Sequence, residues 1–228
     1  MLQATTLPLS ISYRCPVEVV KLAQNIVPQI EPSATAPSGT VRYIKQKDFL
    51  TTVEVGDMVV CRTNAPLVEP AFMVIRSGRK AVIRGADIGK TLVNFVERFN
   101  APDISMLEIL MAEYVEKEMR RLLDKGKELQ ADMLLDKMTT VQTVARECTT
   151  VEEIVTKISI LFADTQNGVV FSSIHRAKGL EADRVFILHP ELLPHPKAQQ
   201  DWEKQQELNC LYVAVTRSKS ELYFVREV

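Results

Sequence analysis

Several absences narrow what this sequence can be. Its four cysteines, Cys15, Cys61, Cys148 and Cys210, are far apart and form no CxxC pair. Neither a disulfide framework nor a zinc ribbon is expected from that spacing, and a reducing, cytoplasmic location is. There is no apolar run long enough to span a bilayer and no signal-peptide pattern, so no membrane partner is expected. The formal net charge is −1, from 28 Lys and Arg against 29 Asp and Glu. No global basic field draws the chain to nucleic acid, and any such contact must use a local patch. His189 and His195 lack Cys or acidic partners at ligand spacing, so they read as loop residues and no metal site is expected. No internal repeat or low-complexity tract stands out.

A phosphate-binding loop of the Walker A type is missing too. Gly85-Ala86-Asp87-Ile88-Gly89-Lys90-Thr91 ends in Gly-Lys-Thr, but only three residues separate its glycines. The Walker pattern needs four, because that spacing sets how backbone N–H groups wrap a phosphate. The stretch reads as a turn with Gly89 in the first turn of a helix. An acidic Walker B run after a strand is also absent. The parts that hold Mg²⁺ and the phosphates are therefore lacking, and the isolated chain is not expected to hydrolyse ATP.

What is present is globular: 228 residues, 46% hydrophobic and 25% charged, enough for one core or one core with a small subdomain. Leu7 to Ser12 can be a short strand. A helix opens at Pro16, with Val19, Leu22, Ala23 and Ile26 on one face, and Pro28 stops it. Glu31 to Gly39 is loop by composition. Strands are predicted at Val41–Ile44, Asp57–Arg62 and Ala81–Ile83, and helices at about Leu67–Arg76 and Asp87–Phe99. From Asp103 to about Asp164 only helix signals occur, with capping boxes at Ser105-x-x-Glu108 and Thr150-x-x-Glu153 and a stop at Gly126. A strand at Gly168–Ile174, a loop, a strand at Arg184–Leu188, a helix at Glu203–Arg217 and a strand at Glu221–Val225 complete an open α/β pattern. Leu208, Leu211, Tyr212 and Val215 mark the expected buried face of that last helix.

Two stretches near the C-terminus place polar residues at the ends of apolar segments. They are Ser172-Ser173-Ile174-His175-Arg176-Ala177-Lys178-Gly179-Leu180-Glu181 and Leu211-Tyr212-Val213-Ala214-Val215-Thr216-Arg217-Ser218-Lys219. In type and order they resemble motifs V and VI of the UvrD/Rep/PcrA-like superfamily 1 DNA helicases. The resemblance implies a RecA-like (P-loop NTPase-type) parallel sheet interrupted by a helical insertion. Residues 1–99 would be the first part of the second RecA-like domain, 100–165 the insertion subdomain, and 166–228 the second part with motifs V and VI. The insertion is short for that family.

The same resemblance suggests roles. Arg14, following Tyr13, and Arg217 match family arginines that reach the γ-phosphate, where a planar fork of donors stabilises charge in phosphoryl transfer. Both are also of the type that is ordinarily a surface residue. Tyr13 matches a tyrosine that stacks on adenine. Gly179 and Glu181 lie in motif V, and Glu181 matches a glutamate that binds a ribose hydroxyl. Arg62-Thr63-Asn64 matches a family segment that contacts single strands. Ser173, His175 and Lys178 lie in the loop that follows the sugar-phosphate track, where such donors suit backbone contact rather than base reading. Arg76, Arg79, Lys80, Arg84 and Lys90 form a basic run, either a phosphate-facing patch or a solvated face.

The expected function is the C-terminal half of an ATP-dependent 3′–5′ DNA helicase, with single-stranded DNA and an N-terminal RecA-like domain as partners. ATP and Mg²⁺ would be held mainly by that other domain. A stand-alone DNA-binding or regulatory module, or an inactive helicase remnant without ATPase activity, remains the alternative.

Overall fold

The computed structural model describes residues 10–164, 168–196, 198 and 200–227. β1 (Ile11–Ser12) is followed by α1 (Val17–Ala23), which starts after Pro16 and buries Val19, Val20 and Ala23. The strand expected from Leu7 is seen in its last two residues, and residues 7–9 lie outside those described. The loop expected from Glu31 instead opens with β2 (Glu31–Pro32), paired in parallel with β1.

β3 (Thr40–Lys45) runs into α2 (Gln46–Thr52), a helix the sequence does not signal because Phe49 is its one buried residue. Then come β4 (Met58–Cys61), α3 (Ala65–Arg76), β5 (Ala81–Ile83) and α4 (Ala86–Glu97). Three helices follow in succession: α5 (Ile104–Leu123), α6 (Glu128–Ala145) and α7 (Val151–Leu161). The chain ends with β6 (Val169–Ser173), β7 (Ala182–Leu188), α8 (Asp201–Val215) and β8 (Ser218–Arg226).

Six strands form one parallel sheet in the order β3-β8-β7-β4-β6-β5. This is the parallel α/β sheet, with helices on both faces, expected from the motifs. Alternate strand residues point to opposite faces and build two cores. Val59, Cys61, Phe171, Phe186 and Leu188 pack with α2 to α7, whereas Met58, Val60, Val185, Ile187 and Leu222 pack with α1 and α8. With both faces covered, the central strands are near-continuous apolar runs, which is why they are legible in the sequence. Leu107, Met111 and Val115 of α5, Val141 and Val144 of α6, and Ile154 and Ile158 of α7 join the first core, so the helical segment shares its packing with the sheet.

The details of the helix ends differ from expectation in three places. α1 ends at Ala23, well short of Pro28, so Ile26 lies outside it. Ser105 is the second residue of α5 and caps nothing. Asp103 is the N-cap, accepting from the Met106 amide at 2.8 Å. At α7, Thr150 accepts from the Glu153 amide at 3.2 Å, but the Glu153 carboxylate reaches one residue further back, to the Thr149 amide at 2.6 Å. Gly126, at φ 66°, closes α5 as expected, with the Lys127 amide donating to the Leu122 carbonyl.

The Gly-Lys-Thr stretch lies within α4. Gly89 is there for packing, since a Cβ on it would sit 2.8 Å from Cβ of Phe162. The buried face of α8 is wider than expected: Leu211, Tyr212 and Val215 pack into the second core as expected. Glu207 and Ala214 are buried with Val215, and Cys210 and Leu211 are partly covered, while Leu208 is only half-buried.

Candidate functional site

Every strand of the main sheet points the same way, so its two edges are chemically distinct. The carboxyl ends of β4 and β6 are neighbours, with Cys61 in register with Ser173. The segments that leave them therefore emerge side by side, and the Ile174 amide donates to the Cys61 carbonyl at 2.9 Å. This edge gathers Arg62, Thr63, Asn64, Ser173 and His175. Ser173 is buried, and His175 and Lys178 are exposed.

Most donors on this edge are already engaged. Arg62 makes a two-pronged pair with Glu207 of α8: Nε donates to Oε2 at 2.9 Å and Nη2 to Oε1 at 2.7 Å. Their side chains are only 12% and 9% exposed. Glu207 also accepts from the His195 amide at 3.1 Å. Burial alone would raise the Glu207 carboxyl, but Arg62 and the His195 amide outweigh it and hold the group below its ordinary value. The Asn64 amide and Nδ2 both donate to Asp136 of α6, at 3.2 and 3.3 Å. His175 lies 3.6 Å from the Cys210 sulfur, and burial, together with the nearby Arg62 charge, lowers its pKa.

The other candidates lie at the opposite, amino edge. Ala182 at the start of β7 is in register with Ser218 at the start of β8, and its amide donates to the Arg217 carbonyl at 3.1 Å. That brings Glu181 and Arg217 together. Arg14 reaches them from beyond β1, its Nε donating to Glu181 Oε2 at 2.6 Å, and the neighbouring Cys15 sulfur lies 3.5 Å from the Thr216 carbonyl. Lys219 is 3.7 Å from Glu181. Tyr13 projects into solvent, 83% exposed. Gly179, at φ 88°, makes the turn a side chain would strain. A cavity of about 270 Å³ opens beside this edge, lined by Gly56–Met58 and Gly179–Ala182.

Arg217 is buried and internally bonded. Its Nε donates to the Val213 carbonyl at 2.9 Å, Nη1 to the Leu180 carbonyl at 3.0 Å and Nη2 to Thr216 Oγ1 at 3.1 Å. Desolvation and the charge of Arg14 both lower its pKa. A guanidinium carries five N–H donors, so donors remain to meet an anion.

Three residues of the basic run are engaged within the fold, while Lys80 and Lys90 are exposed. Arg76 pairs with Glu69 and Glu147, Arg79 donates to the carbonyls of Val53 and Leu50 at the end of α2, and Arg84 lies 3.8 Å from Asp164. Two residues the sequence reading missed hold the carboxyl edge together, Glu207 and Asp136. A stripe through Glu207, Cys210, Leu211 and Ala214 would have exposed the first as an acid on a buried face. Asp136 carries no such signal.

Among the described residues no helix is long and apolar enough to cross a membrane, and no cluster of His, Cys, Asp and Glu could hold a metal ion.

The chain is similar over 66 residues, at 47% identity, to the ATP-dependent DNA helicase PcrA of Staphylococcus aureus (strain Mu50) and of Staphylococcus epidermidis (strain ATCC 12228). The match covers 27% of this chain and 9% of each relative. A solved structure, the C-terminal domain of a possible DNA helicase from Lactobacillus plantarum WCFS1, aligns with 94% of this chain and 87% of its own, at 14% identity and a TM-score of 0.28. The family model described as UvrD-like helicase C-terminal domain matches residues 112–227, from within α5 through β8. With that model covering half the chain, this protein belongs to the UvrD-like helicase C-terminal domain family.

Proposed function

We propose that the chain is the C-terminal motor half of an ATP-dependent 3′–5′ DNA helicase, completing an ATP site at its amino edge and contacting single-stranded DNA at its carboxyl edge. The observation that carries this reading is the path of the loop between β6 and β7. It leaves beside Arg62–Asn64, passes His175 and Lys178, and arrives at Glu181 and Arg217 on the other edge. One short segment thus links both candidate sites.

At the amino edge the residues suit a nucleoside triphosphate. Tyr13 offers an exposed ring for a base, Glu181 an acceptor for a ribose hydroxyl beside Gly179, and Arg14 and Arg217 spare donors for phosphate oxygens. ATP bound there would supply the phosphoanhydride, and this half would supply the arginines that steady its charge. Mg²⁺ and the remaining phosphate contacts fall to an N-terminal RecA-like domain, and residues 100–165 are the insertion of the family plan. At the carboxyl edge Thr63, Asn64, His175 and Lys178 face the strand. Arg62 acts there chiefly by fixing the segment, and Ser173 by placing the loop.

Fluorescence anisotropy on unrelated single-stranded oligonucleotides at stepped salt tests this. Binding is expected to be weak and indifferent to sequence, with a shallow salt slope of roughly −0.7 per phosphate neutralised. Asn64→Ala and His175→Ala should each weaken it on every oligonucleotide. A strong preference for one sequence, or binding untouched by both changes, would place the DNA face elsewhere.

A further inference from the structure

The first turn of α3 is capped from outside. A helix N-terminus leaves amide donors without partners, and a carboxylate there is favoured by the helix dipole. Asn64 is the N-cap residue, yet its side chain makes no cap of its own. Asp136, 72 residues away on α6, does the work: Oδ2 accepts from the Asn64 amide at 3.2 Å and Oδ1 from the Ala65 amide at 2.9 Å. The same Oδ2 accepts from Asn64 Nδ2 at 3.3 Å, which fixes the side-chain amide and leaves Oδ1 of Asn64 buried without a partner among the described residues. The orientation of Asn64 is therefore set by the helical segment and not by its own backbone. On the other side Glu207 of α8 grips Arg62. The residues between are held by two carboxylates on two different helices.

We infer that Asp136 is a positioning residue for the strand contact, so that α6 of the helical segment sets the conformation of Arg62–Ala65. This rests on the DNA-binding reading above. An acid beside a phosphate path has no direct use: by charge alone it repels the ligand, and removing it should tighten binding. Positioning predicts the opposite sign. Asn in its place keeps the shape but removes the charge, and its NH₂ must meet one of the three N–H donors that Asp136 now accepts.

The test compares the wild-type chain with Asp136→Asn on single-stranded oligonucleotides. Affinity should fall by about three- to tenfold, the loss of one to two hydrogen bonds' worth of fixation. The salt slope should stay the same, because no phosphate contact is removed. In an Asn64→Ala background the further loss should be smaller. Amide hydrogen exchange provides a measurement without DNA. Asn64 and Ala65 should exchange faster in Asp136→Asn, while Val59 and Val60 of β4 keep their protection and so report an intact fold. Wild type that binds and a variant that binds equally or more tightly would overturn the inference alone, as would unchanged exchange at Asn64 and Ala65. A wild-type chain with no salt-sensitive binding would overturn the proposed function, and the inference with it.

Discussion

Glu207→Ala tests the buried pair on which the carboxyl edge depends. The substitution removes a carboxylate that accepts three hydrogen bonds from Arg62, at 2.7, 2.9 and 3.1 Å, and one from the His195 amide. Arg62 stays behind, its side chain only 12% exposed. Breaking a buried pair from one side costs about 3–5 kcal/mol, because the remaining charge is uncompensated. The stranded His195 amide overlaps with that figure and does not add to it in full. Against a total stability of about 5–15 kcal/mol the loss is large. With an m-value of roughly 2–3 kcal/mol per molar urea, the denaturation midpoint should drop by roughly 1–2.5 M.

Two comparisons separate the mechanism from a general sensitivity of α8. The double variant Arg62→Met/Glu207→Leu removes both charges and should recover most of the loss, since apolar replacement of a whole buried pair is often neutral. Glu181→Ala breaks the exposed pair with Arg14 and should leave the midpoint where it was. Urea titration followed by far-UV circular dichroism measures all three. A Glu207→Ala cost below about 1 kcal/mol, the range of exposed pairs, would show that the pair is solvated in solution and refute the argument.

Asp57 should make stability depend on pH in an unusual direction. It is 4% exposed and burial raises its pKa from 3.8 to about 6, despite the Glu54 amide and Arg184. The folded state then holds the proton more tightly than the unfolded one, so this contribution is present in full below about pH 4 and lost as pH rises through about 6. Between about pH 4.5 and about pH 7.5 wild type should lose about 2 kcal/mol that Asp57→Asn does not. Parallel slopes for the two proteins in that window would contradict it. Gly89→Ala places a Cβ 2.8 Å from Cβ of Phe162 and 3.3 Å from its carbonyl oxygen. The helix-propensity gain of about 1 kcal/mol should be outweighed by an overpacking cost of about 1–3 kcal/mol. A rise in melting temperature would show that α4 and α7 are not that close.

The local character of the chain was written in its sequence. β4, β6 and β7 are apolar runs because both faces of the sheet are covered, and such runs announce themselves without knowledge of their neighbours. The spacing of Gly85 and Gly89 was enough to refuse a phosphate loop, since backbone geometry follows from residue count alone. The motif loops could be named for the same reason: their residues are contiguous. Which edge each loop occupies was decided only by the parallel order β3-β8-β7-β4-β6-β5. So was the fate of individual donors. Arg62 reads as a free cation until α8 sets Glu207 against it from 145 residues away, and Asn64 until α6 brings Asp136. The buried face of α8 takes in Glu207 beside its apolar stripe because the ion pair with Arg62 makes burial of that carboxylate tolerable, a compensation no helical period records. Side-chain partners at such separations depend on how the elements are stacked, and hydrophobic periodicity specifies only that each element has a face to bury.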